Sequence, residues 1–247
     1  MSTELRKDIK YTGRITSPGG VYKRVHFQGD MTIDGDLDCL EIKVNGVLNE
    51  IGSLKANTGE INGSAAVKGN LESEYINVNG ELKVDGNMSV DKIKSNGRLI
   101  VKGNVFSEEL EINGEFKVSS KCEAEAIILK GAFNINETLN VEDVNIKLYG
   151  PSEAKEIGGS KIHIQKGGGD NKIMQILAAI FNPLNLYKAH LKVNTIEGDD
   201  IYLEHTAANV VRGDSVDIGD GCEIDLVEYR TDFKKSPGAS VLKHVKV

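Results

Sequence analysis

Glycine returns every 17 residues through the first half of this chain. Gly29, Gly46, Gly63, Gly80, Gly97, Gly114 and Gly131 hold that spacing without a miss. A second series trails each by six residues, at Gly35, Gly52, Gly69, Gly86 and Gly103, and lapses at Ser120 and Glu137. A fixed period means stacked copies of one small unit, none able to bury its own apolar face alone.

Counting each first glycine as position 0, apolar residues recur at positions 2 and 4, 8 and 10, 13 and 15. The copy that starts at Gly80 carries Leu82 and Val84, Met88 and Val90, then Ile93 and Ser95. Over all seven copies only Glu50, Gly59, Ser73, Ser95 and Ser107 break the pattern. At the chain's 39% hydrophobic content, fewer than half of these positions would be apolar by chance. Spacing of two within a pair is the strand period. Three pairs per copy therefore describe a coil of three short strands, with turns between them.

The stretch INVNGELKVDGN, residues 76–87, tests this reading. An Asn-Gly pair between alternating apolar residues is a strong hairpin signal. A hairpin would set Ile76 and Val78 antiparallel to Leu82 and Val84, but it explains neither the third strand nor the 17-residue return. A parallel solenoid explains both. It places Val78 between Ile61 and Ser95 and makes the Asn-Gly a corner. Asn45, Asn62, Asn79, Asn96 and Asn113 share that corner position, where Asn tolerates left-handed geometry and identical amides can form a ladder. Lys43, Glu60, Asn77, Lys94 and Glu111 share an outward position, so opposite charges fall on neighbouring coils.

The fold class expected is all-β: a three-sided parallel β-solenoid of 17-residue coils, with one inserted short helix and further C-terminal coils. Residues 1–20 and 232–247 read as flexible tails, and 21–166 as the solenoid core. Residues 167–190 read as a Gly-rich insert with an amphipathic helix ended by Pro183. Residues 191–231 read as one to two further coils, because Val216/Ile218 and Cys222/Ile224 repeat at six.

Composition narrows function by exclusion. A formal net charge of −7 offers no basic field for nucleic acid. MSTELRKDIK lacks the apolar segment of a signal peptide. No apolar run is long enough to span a membrane. Three cysteines, Cys39, Cys122 and Cys222, with no C-x-x-C pair, point to reduced thiols and a cytoplasmic location rather than to a zinc site. The five histidines have no second His or Cys at ligand spacing. The run EGDDIYLE reads as a solvated turn, with cation binding by Glu197, Asp199, Asp200 and Glu204 as the minor alternative. No cofactor and no small-molecule substrate are expected. A β-helix acyltransferase would show hexapeptide coils near 18 residues and a recurrent catalytic His, and this chain shows neither.

The 17-residue Gly/Val coils resemble those of bactofilins, bacterial polymer-forming cytoskeletal proteins. GGVYKRVHFQGDMTIDGDL, residues 19–37, resembles the start of their core. LYGPSEAKEIGGSKIHI and EGDDIYLEHTAANVVRGDSVDIGDGCEIDLVEYR resemble the longer variants of Gram-positive bacteria. The resemblance covers roughly residues 19–230. It implies a right-handed β-helix that polymerises end to end without nucleotide. It also implies scaffolding of cell-shape, cell-wall or motility machinery near the membrane, with itself, a paralogue and envelope or motility proteins as partners. Two departures stand out. The N-terminus is not the short apolar membrane-targeting peptide of many relatives, and the added C-terminal segments could cap one end and limit growth. The rival reading is a capped, non-polymerising adaptor that binds partners on its outer faces.

A solenoid ends in unpaired strands, which are templates for another chain. The first full coil, with Met31, Ile33, Leu37, Cys39, Ile42 and Val44, is therefore the expected self-assembly end. Phe133 is a second candidate for an end-on contact. Ile173, Ile176, Leu177, Ile180 and Phe181 are candidates for a membrane- or partner-facing helix.

Overall fold

A computed structural model describes residues 6–168 and 189–247. Eleven strands form one sheet in strict chain order, β1-β2-β3-β4-β5-β6-β7-β8-β9-β10-β11. They are β1 (Lys7–Ile51), β2 (Leu54–Val67), β3 (Leu71–Val84), β4 (Met88–Val101), β5 (Val105–Val118) and β6 (Cys122–Leu148). After them come β7 (Pro151–Lys166), β8 (His190–Leu203), β9 (Thr206–Ile218), β10 (Glu223–Lys235) and β11 (Ser240–Lys246). Every neighbouring pair is parallel, so the chain winds as a solenoid in which each turn stacks on the last. At ~4.8 Å per turn the stack is roughly 60 Å long.

From Leu37 to Val118 the register follows the sequence period, except that a one-residue shift after Leu48 sets Ile51 rather than Glu50 against Val67. Val78 lies opposite Ile61 on one side and Ser95 on the other, so the Asn79-Gly80 pair is a corner and not a hairpin turn. Gly46, Gly63, Gly80, Gly97 and Gly114 take φ between +134° and +144°, a region open mainly to glycine. Inward residues of all three sides meet in one continuous core.

The corners are tied from coil to coil. Asn62, Asn79, Asn96 and Asn113 each donate a side-chain N–H to the amide oxygen of the Asn below, at 3.0–3.1 Å. At the second corner the side-chain oxygens of Asn70 and Asn87 accept the backbone N–H of Asn87 and Asn104, each at 2.9 Å. These bonds satisfy backbone groups where the strand ladder breaks to turn.

Two inward serines behave differently. Ser107 Oγ lies 2.6 Å from the Val90 carbonyl oxygen and 3.2 Å from those of Asp91 and Glu109. Ser95 is fully buried, and its hydroxyl has no partner. Ser107→Ala should therefore lower stability by about 1 kcal/mol, whereas Ser95→Ala should leave it unchanged or raise it by up to about 1 kcal/mol. Urea midpoints of the two variants check this, and an equal loss in both would refute it.

The structure corrects the sequence reading at both ends. Residues 7–20 are not a tail but continue β1 as a further coil. Ion pairs Asp8–Arg24 and Arg14–Asp30 bridge this coil to the next at an offset of 16, one short of the sequence period. Residues 232–247 complete β10 and supply β11. The segment after residue 190 holds four strands rather than one to two coils. Its offsets fall to 15 between Leu191 and Thr206 and 16 between Ala207 and Glu223, so the period of 17 no longer aligns them. The helix expected at 167–190 falls almost wholly outside the described residues.

Candidate functional site

Alternation along each side strand turns every second residue outward, so the outer faces carry in-register rows of polar side chains. Many of these pair with each other. Lys43 reaches Glu60 at 2.6 Å and Lys94 reaches Glu111 at 2.9 Å, each one coil away. Lys92 pairs with Glu109 in the same manner. Arg98 bridges Glu81 at 3.0 Å and Glu115 at 2.7 Å. Lys102 sits 2.9 Å from Asp85, and its hydrogen bond holds that carboxyl below the ordinary Asp range. The Lys43 and Asn62 hydrogen bonds lower Glu60 likewise. Both carboxylates therefore favour the fold above the unfolded carboxyl range, and that contribution disappears as pH falls through their lowered values.

One row was not anticipated. Glu74, Asp91, Glu108, Glu125 and Glu142 occupy one exposed corner position on five successive coils. They concentrate negative charge along a single edge of the rod.

Groups suited to chemistry are scarce among the described residues. All three thiols are free and buried, and Cys39 and Cys222 are pushed up to about 12 and about 11 by desolvation. Burial raises Cys122 as well. Such thiols carry little thiolate at neutral pH and are poor nucleophiles. No group of three or more His, Cys, Asp or Glu is placed to hold a metal ion among the described residues. Among them, too, no helix is long and apolar enough to cross a membrane. An open trough of about 650 Å3 runs beside Asn145, Lys161, His163, Tyr202 and Asp217. His163 and Tyr202 stack there at 4.7 Å. The Tyr202 hydroxyl donates to Glu204 at 2.6 Å, which pushes the phenol up to about 12. Glu204 also accepts the Lys166 backbone N–H at 3.0 Å. It thus ties the end of β7 to the end of β8 across the intervening segment.

The expected assembly residues lie elsewhere than foreseen. Met31, Ile33, Leu37, Cys39, Ile42 and Val44 are all inward and buried, but the coil formed by residues 7–20 lies outside them. They are core, not an end face. Phe133 is also buried, and β7 to β11 stack beyond it, so it is remote from either end. Ile173, Ile176, Leu177, Ile180 and Phe181 lie outside the described residues.

The outermost described coils carry other residues. At the N-terminal end Tyr11, Ile15 and Tyr22 are partly buried against the core. At the C-terminal end Tyr229 and Phe233 stack at 5.4 Å, and the His244 ring lies 4.8 Å from Phe233. The sequence signal for the N-terminal coil was present: Gly13 precedes Gly29, and Ile9, Tyr11 and Ile15 keep the inward pattern around it.

Two Bacillus subtilis (strain 168) proteins resemble this chain. One, described as "Uncharacterized protein YhbE", is 38% identical over 108 residues, which are 43% of this chain and 42% of that protein. The other, "Uncharacterized protein YhbF", is 36% identical over 85 residues, 34% of this chain and 35% of that protein. The matched stretch thus spans less than half of each relative. No known family profile matches the chain. No solved structure matches it either.

Proposed function

We propose that this protein is a structural rod that associates end to end with copies of itself, without nucleotide, and scaffolds other proteins. The observation that carries the reading is the uninterrupted parallel ladder. From β2 to β10 each strand pairs in parallel with the strand before it and the strand after it. An end coil has such partners on one side only, and the matching shape for its free side is another coil. Many side-face charges pair coil to coil and the three thiols are buried in the core, which fits a structural role. The resemblance of the repeat and of the two C-terminal motifs to bactofilins supports the same reading. It extends it to envelope or motility proteins as clients, at a cytoplasmic, membrane-proximal position.

Sedimentation and negative-stain electron microscopy of the purified protein, with no nucleotide added, test the reading. Rods longer than one subunit are expected. Single 26.8 kDa particles at every concentration would refute it.

A further inference from the structure

We propose that copies of this rod also associate side by side, a basic side of one rod docking the acidic edge of the next. The contact is lateral, so it goes beyond the end-to-end reading and does not depend on it.

Charges on the four coils that begin at Gly63, Gly80, Gly97 and Gly114 are sorted by face. The side strand after each of these glycines turns outward Lys68, Lys83, Arg98, Lys102 and Lys117, against Glu81, Asp85 and Glu115. Lys68, Lys83 and Lys102 converge on the single carboxylate of Asp85, at 3.9, 3.9 and 2.9 Å. Lys117 shares Glu115 with Arg98, each at 2.7 Å. One carboxylate cannot neutralise three ammonium groups, so this side keeps a surplus of positive charge. The four lysine side chains are 42–54% exposed, which leaves them open to a partner.

The edge carries the opposite sign. Glu74, Asp91, Glu108 and Glu125 occupy one corner position of the same four coils, and Glu142 extends the row by one coil. All five are exposed. Asn57 donates to Glu74 at 3.0 Å, but no cation pairs with any of the five among the described residues. Lys92, next to Asp91 in the chain, pairs with Glu109 instead. Residues on either side of the row stack in register, Ser73 against Val90 and Val90 against Ser107. The carboxylates therefore follow one another at a backbone spacing of ~4.8 Å, where like charges repel. A row of cations from outside relieves that repulsion.

Two features make a second copy the partner. The basic side and the acidic edge span the same four coils, so their charges repeat at one spacing over one length. They also lie on opposite surfaces of the rod. Within a coil the chain forms the basic side, then the second side, then the edge, then the third side. The edge thus lies between the other two sides, across the core from the lysines. A rod with opposite charges on opposite surfaces matches its own copy displaced sideways. The contact is heterologous: each docked rod leaves its own edge free for another, so the array stays open. Single exposed ion pairs are weak, but several at fixed spacing on rigid rods act together.

The test uses the full chain in light scattering and negative-stain microscopy, with circular dichroism as the check on folding. Wild-type particle mass should at least double as salt falls from about 1 M to about 10 mM, and the particles should widen. An edge variant (Asp91→Lys, Glu108→Lys, Glu125→Lys) and a side variant (Lys68→Glu, Lys83→Glu, Lys102→Glu) should each lose this growth. Mixing the two should restore it, because each variant then meets a surface of opposite sign. If a reversal unfolds the rod, Glu108→Gln with Glu125→Gln, or Lys83→Gln with Lys102→Gln, replaces it and should still lower the low-salt mass. A wild-type mass indifferent to salt, a folded variant that associates as the wild type does, or reversed variants that stay apart when mixed would each overturn the proposal. So would particles that lengthen at low salt without widening, which is end-to-end growth alone. A wild type that stays single at low salt but binds phosphatidylglycerol vesicles would give the basic side to a lipid surface, and would overturn it as well.

Discussion

Gly80→Ala should destabilise the rod by about 3–6 kcal/mol, far more than the same change at Gly13. Both glycines have φ in the region disfavoured for other residues, +137° at Gly80 and +103° at Gly13. Either alanine therefore carries backbone strain of about 1–3 kcal/mol. Only Gly80 meets a second obstacle. A Cβ there would lie 2.0 Å from the carbonyl oxygen of Gly63, whereas a Cβ at Gly13 meets nothing within 4 Å. The obstructing atom is backbone in the coil below, and that coil is hydrogen-bonded in turn to its own neighbour. It cannot move aside as a flexible side chain would. The strain must spread through the stack, because each coil rests on the next. Denaturant midpoints of the two variants measure the difference. Equal losses would mean that turn geometry alone keeps glycine at this corner, and that close stacking has no part in it.

How much of this was legible in the sequence depends on register. Between Leu37 and Val118 the coils repeat at 17 except where Ile51 meets Val67 at 16, so nearly all inward residues fall in columns that can be read without coordinates. The corner asparagines were legible for the same reason, since a ladder needs only the same residue at the same position. Beyond Ile135 the offset shifts from 19 to 18, and later to 15, 16 and 17. Each coil still buries apolar side chains, but a fixed ruler slides off them. Ile196, Val211 and Val227 stack in one column that no single period connects. The ends were harder again. Register puts Lys235 over Ile218 and His244 over Val227, columns that are apolar in the coils below, yet a charged or polar residue in a strand reads as outward-facing until the register is known. The candidate assembly face was displaced for a related reason. A single 16-residue step hid the coil that covers Met31 and Ile33. The side-face ion pairs were partly foreseen, through Lys43/Glu60 and Lys94/Glu111, because those pairs stay within the regular stretch.

Phe116→Ala should cost about 3–5 kcal/mol, the second large effect expected of a single substitution. Phe116 is the largest fully buried side chain of the core. It lies in column with Leu99 below and Phe133 above, in the middle of the regular coils. The truncation removes most of an aromatic side chain, and the resulting space has few ways to close. The backbone on either side is held in register by ladders that extend several coils in both directions, so neighbouring strands cannot draw together over the gap. Leu99 and Phe133 can lean in only as far as their rotamers allow. Phe116→Leu keeps part of the volume and should recover a good share of the loss. The order wild type, then Leu, then Ala in denaturant midpoint is the expected result. A variant Phe116→Ala within about 1 kcal/mol of wild type would show that the coils can collapse onto a cavity, contrary to a stack locked by its own backbone ladder.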